Sequence, residues 1–268
     1  MPPDIRLIAL DLDGTLLSPE NRVSDEDAAA VREAVAAGAQ VVLATARWHA
    51  AAGRTAALLG LDGFIISHNG ALVRSRDDGE ELFHHRIEQA LASEIAEFLD
   101  AASGDAYVTV NDSTYVRSQR LGNPRMPAGI ELTASLRPHV TAPATAFLVF
   151  GRDAVRSTVE RFSGYHGSAL NLAEGFSDSF PGYLNIVHAL ADKGAALRAV
   201  CEHQSISPLQ AMAIGDAAPD IPMLKSAGIG VAMGNAPEAV KAAADAIAPS
   251  NSESGVAWAI RRYVLGRP

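Results

Sequence analysis

Apolar residues along this chain fall into two kinds of run. Short continuous stretches, IRLIAL (5–10), AQVVLATA (39–46), LQAMAIGD (209–216) and IGVAMGNA (229–236), have the pattern of strands buried on both faces. Longer stretches with helical spacing separate them. SDEDAAAVREAVAAG (24–38) begins with Ser24 as an N-cap, carries acids in its first turn and stops at Gly38. WHAAAGRTAALLG (48–60) ends on Gly60 in the same way. GFIISHNGALV (63–73) predicts a third strand running through an Asn-Gly turn into a hairpin.

This βαβαβ order predicts a parallel sheet with right-handed crossovers. The rhythm returns at the far end, with helices over DKGAALRAVCEHQ (192–204), APDIPMLKSAG (218–228), PEAVKAAA (237–244) and SGVAWAIRRYVLG (254–266). Between the two halves the pattern changes. A helix over 87–102 precedes strands over 106–112 and 113–118, and a strand over 145–150 precedes a helix over 153–164 and strands over 168–174 and 183–188. The expectation is an α/β Rossmann-like core built from 1–83 and 186–268, interrupted by an α+β domain over 84–185. The stretch RLGNPRMPAGIEL (120–132) is the least structured part and is expected to be a loop.

Composition narrows the class. A net charge of −9 excludes a generic nucleic-acid coat, while leaving room for a small anionic substrate. No stretch supplies the about 18 apolar residues of a membrane span, and the N-terminus lacks a signal peptide's basic and apolar regions. Cys201 is the single cysteine, which fits a reducing cytoplasm. The eight histidines show no zinc-like spacing. No nucleic-acid or membrane partner is expected, and the oligomeric state is not encoded legibly.

Candidate chemistry clusters where strands end. DLDGT (11–15) closes the first strand, Thr45 the second, and GDAAPD (215–220) follows LQAMAI, while Lys193 opens a helix. A parallel sheet brings these ends to one edge. Asp11, Asp13, Asp216 and Asp220 then crowd together and need compensation. A hard cation such as Mg²⁺ and a lysine both suit an oxygen-rich site. With the Thr45 hydroxyl and the backbone N–H groups near Gly14 and Thr15, they would make a phosphate cradle. A carboxylate facing that phosphate can attack it. No G-x-G-x-x-G follows the first strand, which argues against a dinucleotide-binding dehydrogenase.

In order and spacing, DLDGT, Thr45, Lys193 and GDAAPD resemble the four motifs of the haloacid dehalogenase superfamily of phosphatases. The position of the insert, with SHNGA (67–71), DKG (192–194) and GNAPEAVK (234–241), resembles the Cof-type subgroup with its α/β C2 cap. The resemblance implies a Mg²⁺-dependent phosphatase acting on a small phosphorylated metabolite, such as a sugar phosphate, through an aspartyl phosphate. Asp11 would be the nucleophile and Asp13 the acid and base. Thr45 and Lys193 would hold the phosphoryl group, and Arg47, Asn69 and Gly70 would contact substrate. Asp11, Asp13 through its carbonyl, Asp216 and Asp220 would hold the metal. A phosphomutase and a non-catalytic phosphate-ligand binder share the same motifs. Two positions depart from the subgroup pattern: Ala46 replaces a usual glycine, and Pro219 replaces a usual asparagine next to the metal site.

Overall fold

A computed structural model describes residues 4–118, 129–177 and 180–267. The chain divides into two compact units, 1–83 with 192–268, and 84–191. The second crossing therefore falls later than the expected 185/186. The cause is a single strand, β11 (Phe180–His188), which stays paired with β10 (Leu170–Ser177) and β9 (Ala146–Phe150) through Val187 and His188.

The discontinuous unit is built on an eight-stranded sheet. Its central strands are β1 (Leu7–Leu10), β2 (Gln40–Ala44), β3 (Phe64–Ser67), β12 (Ala211–Gly215) and β13 (Ile229–Ala232). These run parallel in the order β13, β12, β1, β2, β3. Beyond β3 lie β4 (Leu72–Ser75) and β5 (Glu81–His84), and beyond β13 lies β14 (Ala246–Ile247). The continuous apolar runs have their physical reason here, because both faces are covered. Ile8, Leu10, Val41, Leu43, Met212 and Ile214 pack under α1 (Asp25–Ala36), α2 (His49–Leu59) and α8 (Gly255–Tyr263). The alternate residues Leu7, Ala9, Val42, Ala44, Ala211 and Ala213 pack under α5 (Lys193–His203), α6 (Ile221–Ser226) and α7 (Glu238–Lys241). Ser24 caps α1 by accepting from the Asp27 N–H, and Gly60 closes α2 in the left-handed region.

The hairpin after β3 differs from a two-residue Asn-Gly turn. Ser67 pairs with Leu72, and the four residues between include His68, Asn69 and Gly70, all at positive φ. The strand β5 went unpredicted because it is short and follows a polar stretch, and β14 because it is two residues long and follows an alanine run read as helix.

The other unit is a six-stranded sheet, in the order β10, β11, β9, β6 (Asp105–Val110), β7 (Ser113–Arg117) and β8 (Ile130–Leu132). One face packs under α3 (Gln89–Ala101) and α4 (Arg152–Phe162) through Ile95, Leu99, Phe147, Phe162 and Ile186. Of the expected loop 120–132, residues 120–128 lie outside the described residues, while Ile130–Leu132 is a strand parallel to β7. Among the described residues no helix is long and apolar enough to cross a membrane.

Arg117 organises this second unit. It is 7% exposed, and its Nη2 donates to the carbonyls of Leu99 (2.7 Å), Ala102 (3.1 Å) and Gly104 (3.1 Å) at the end of α3. A buried cation there meets the negative end of the helix dipole and adds a donor to these carbonyls, of which that of Leu99 also accepts from the Ala102 N–H (3.2 Å). Replacing it with the apolar Arg117→Met strands them, and is expected to lower stability by about 2–3 kcal/mol. Chemical denaturation checks this; a loss below about 0.5 kcal/mol would mean solvent replaces the guanidinium freely.

Candidate active site

The parallel register sets the site. Leu10 pairs with Ile214 and with Leu43, so the residues that follow each strand emerge together at one sheet edge. Asp11 follows β1, Thr45 follows β2 and Asp216 follows β12. The Asp11 N–H still donates to the Ile214 carbonyl (3.0 Å), and the Thr45 N–H to the Ile66 carbonyl (2.9 Å), so both side chains leave a fixed backbone.

Lys193 is the first residue of α5, behind the N-cap Asp192, whose side chain accepts from the Ala195 N–H. A cation at that end opposes the helix dipole, and this one is also buried, at 2% exposure. Its Nζ donates to Asp11 Oδ1 and to Asp220 Oδ1, each at 2.6 Å. Burial pulls the ammonium's pKa down, but Asp11 and Asp220 outweigh it and hold the value above the ordinary 10.5. Lys193 is therefore charged.

Asp220 is fully buried, and its other oxygen accepts from the N–H groups of Asp216 (3.0 Å) and Ala217 (2.9 Å). The Pro219 substitution is accommodated locally. Proline stands in the 3₁₀ turn Ala218–Asp220 that leads into α6, where its missing N–H costs no helical bond. Two glycines let the acids approach. A Cβ at Gly215 would collide with the Asp220 side chain, and one at Gly14 with the Asp216 carboxylate. Gly14 also has φ +84°, a conformation other residues resist.

Asp11, Asp216 and Asp220 each offer an oxygen within 4.8 Å of the others, forming a candidate metal group among the described residues that contains no histidine. The Asp13 side chain is not part of it. Burial, followed by repulsion from Asp220, pushes Asp216 up from 3.8 to about 7, against the hydrogen bond from Thr15 Oγ1 (2.7 Å). Asp11 is also raised, first by burial, against the pull of Lys193. Two buried carboxylates and a partly buried third thus share a single ammonium. The group lacks positive charge, and its hard oxygen donors fit a hard divalent cation.

Thr45 is buried, and its Oγ1 accepts from the Arg47 N–H (3.1 Å), which leaves the hydroxyl proton to donate elsewhere. Asn69 is 4% exposed, its N–H donates to the Thr45 carbonyl (3.0 Å), and neither side-chain polar atom has a protein partner. Gly70 lies against the Asp192 carbonyl, where a Cβ would not fit. The expected backbone cradle is partly used internally, since the Thr15 N–H donates to the Leu12 carbonyl (3.3 Å). Arg47, expected on the substrate, forks onto Asp13, with Nε to Oδ2 at 2.8 Å and Nη2 to Oδ1 at 2.5 Å.

Sequence inspection overlooked three contacts. Thr15 donates to Asp216 through its hydroxyl, Asn21 accepts from Arg47 (2.6 Å), and Asn235 Nδ2 donates to the Gly14 carbonyl (2.8 Å). Asn235 lies in the quoted GNAPEAVK stretch, which was the available signal; Asn21 lies in an ordinary polar turn and had none.

A chloroplastic endoribonuclease YBEY of Arabidopsis thaliana is 32% identical over 98% of this chain, but the match covers 47% of that protein. The chain thus spans about half the length of that relative. The 5-amino-6-(5-phospho-D-ribitylamino)uracil phosphatase YcsE of Bacillus subtilis is 32% identical, with 98% of this chain and 97% of that one aligned. A solved haloacid dehalogenase-like hydrolase from B. subtilis superposes with a TM-score of 0.82 at 28% identity, covering 96% of this chain and 99% of that one. The sequence matches the haloacid dehalogenase-like hydrolase family over residues 8–260, and the chain belongs to that family, in its Cof-type subgroup.

Proposed function

We propose that this phosphatase hydrolyses the phosphate monoester of a small polyhydroxylated metabolite, such as a sugar phosphate, through an aspartyl phosphate on Asp11. The observation that carries this reading is the group of three carboxylates, Asp11 and Asp220 buried and Asp216 partly so, beside one buried ammonium. Such a group is costly unless its charge is used, and it suits a site that receives a cation and a phosphate together. The relative with a phosphorylated ribityl chain in its name supports a polyol phosphate as substrate.

Lys193 occupies Asp11 Oδ1, which leaves Oδ2 to attack phosphorus. As that O–P bond forms, the ester P–O bond breaks, and the leaving oxygen takes a proton from the Asp13 carboxyl. Asp13 then takes a proton from the water that hydrolyses the acyl phosphate and releases Asp11. The Thr45 hydroxyl donates to a phosphoryl oxygen, and the unpartnered Asn69 amide meets the substrate beside it. Asp11, Asp216 and Asp220, with the Asp13 carbonyl, would hold Mg²⁺. When bound, the cation offsets charge on the phosphoryl group. We place substrate selection in the unit 84–191.

Asp11→Asn removes the nucleophile and is expected to lower turnover of p-nitrophenyl phosphate by at least about a thousandfold. A clean preparation of the variant with near wild-type turnover would exclude Asp11 from that role.

The metal reading makes a separate prediction from stability. Asp216 has a folded value of about 7 against an ordinary 3.8, so the folded chain binds more protons than the unfolded chain between those values. Stability of the metal-free protein therefore falls as pH rises from about 4 to about 7. A cation supplies the missing charge once the proton has left. Thermal melts in chelator and in Mg²⁺ are expected to differ more at about pH 8 than at about pH 5. An equal Mg²⁺ effect at both would place the cation elsewhere.

A further inference from the structure

Arg47 has more contacts than a surface arginine requires. Its backbone is pinned on both sides: its N–H donates to Thr45 Oγ1, and its carbonyl accepts from the His68 N–H (3.0 Å). Its guanidinium then makes two parallel bonds to Asp13 and a third to Asn21 Oδ1. Asn21 adopts φ 59° in the short turn where the Ser18 N–H donates to the Arg22 carbonyl (2.8 Å). That turn is closed by bridges from Asp13 to Leu17 and from Leu17 to Val23. Asp13, Asn21 and Arg47 thus join the loop after β1 to the loop after β2.

Stability does not account for this arrangement. The Asp13 side chain is 54% exposed and that of Arg47 28%, and ion pairs so wet add little to folding. What the fork does provide is orientation. Two N–H groups in one plane fix the plane of the carboxylate they meet, which a lysine's point charge does not.

We propose that Arg47 is a positioning residue for Asp13, holding its carboxyl group in the orientation from which it exchanges a proton, with Asn21 as the stop that holds the guanidinium. This rests on the reading of Asp13 as the acid and base. It assigns Arg47 to the proton step and not to the anchoring of substrate.

Leaving-group dependence tests it. A nitrophenolate departs with little need of a proton, whereas an alkoxide needs one. Arg47→Met is expected to lower kcat on glycerol 2-phosphate by about a hundredfold and on p-nitrophenyl phosphate by less than about fivefold, with both KM values little changed. Arg47→Lys, which keeps the charge without the fork, is expected to show the same bias to a smaller degree. It also decides the question if Arg47→Met does not fold. An equal loss on both esters with raised KM makes Arg47 a substrate anchor and overturns the proposal, as does no loss on either. Asp13→Asn in the same assay separates the two claims. If it lacks the bias, Asp13 is not the acid and both claims fall; if it shows the bias and the Arg47 variants do not, only the clamp falls.

Discussion

The ammonium of Lys193 between Asp11 and Asp220 is the interaction on which the rest of the site depends. It is buried, placed at the positive end of a helix, and stable there only because two carboxylates meet it at 2.6 Å. Each partner leans on a different part of the chain. Asp11 is carried by β1, Lys193 by α5, and Asp220 by a turn whose carboxylate is also tied to the Asp216 and Ala217 N–H groups. Removing any of the three leaves a charge buried without its partner, so the site and the packing of these elements are secured together.

Charge balance then explains the demand for a ligand. Lys193 cancels part of the cluster, and Asp216 is the acid left short of compensation, pushed up to about 7 with only the Thr15 hydroxyl donating to it. Such a site can be relieved by a proton or by a cation. The choice between them is the link from the fold's electrostatics to its response to pH and metal. The two glycines that permit the crowding, Gly14 and Gly215, contribute by having no side chain at the closest approaches.

Much of the core was legible because its signal is local. A continuous apolar run ending in DLDGT or GDAAPD states both the burial of the strand and the chemistry at its end, and β1 and β12 are side by side in one register. Pro219, which stands where the subgroup usually has asparagine, lies within a turn that delivers Asp220 into the cluster. What was not legible depended on partners distant in sequence. Arg47 was read by its position after Thr45, and nothing local indicated that Asn21 and Asp13 would meet it. The end of the insert was misplaced by six residues because β11 keeps its ladder past Asn185, a pairing set by β9 and β10 and not by composition.

The two aspartates of DLDGT show how position in the fold gives identical side chains different environments. Asp11 is 5% exposed and fixed by an ammonium, while the Asp13 side chain, two residues on, is 54% exposed and held by a guanidinium. β1 ends just before them, at Leu10, and Gly14 turns the chain at positive φ just after them; the Asp11 side chain is buried at the sheet edge and that of Asp13 remains wet. A nucleophile gains from being dry, because water would both shield it and compete with it. A group that must exchange a proton with water gains from the opposite. On the roles proposed for Asp11, Asp13 and Arg47, one short motif at the end of one strand supplies both, with a second loop restraining the exposed partner.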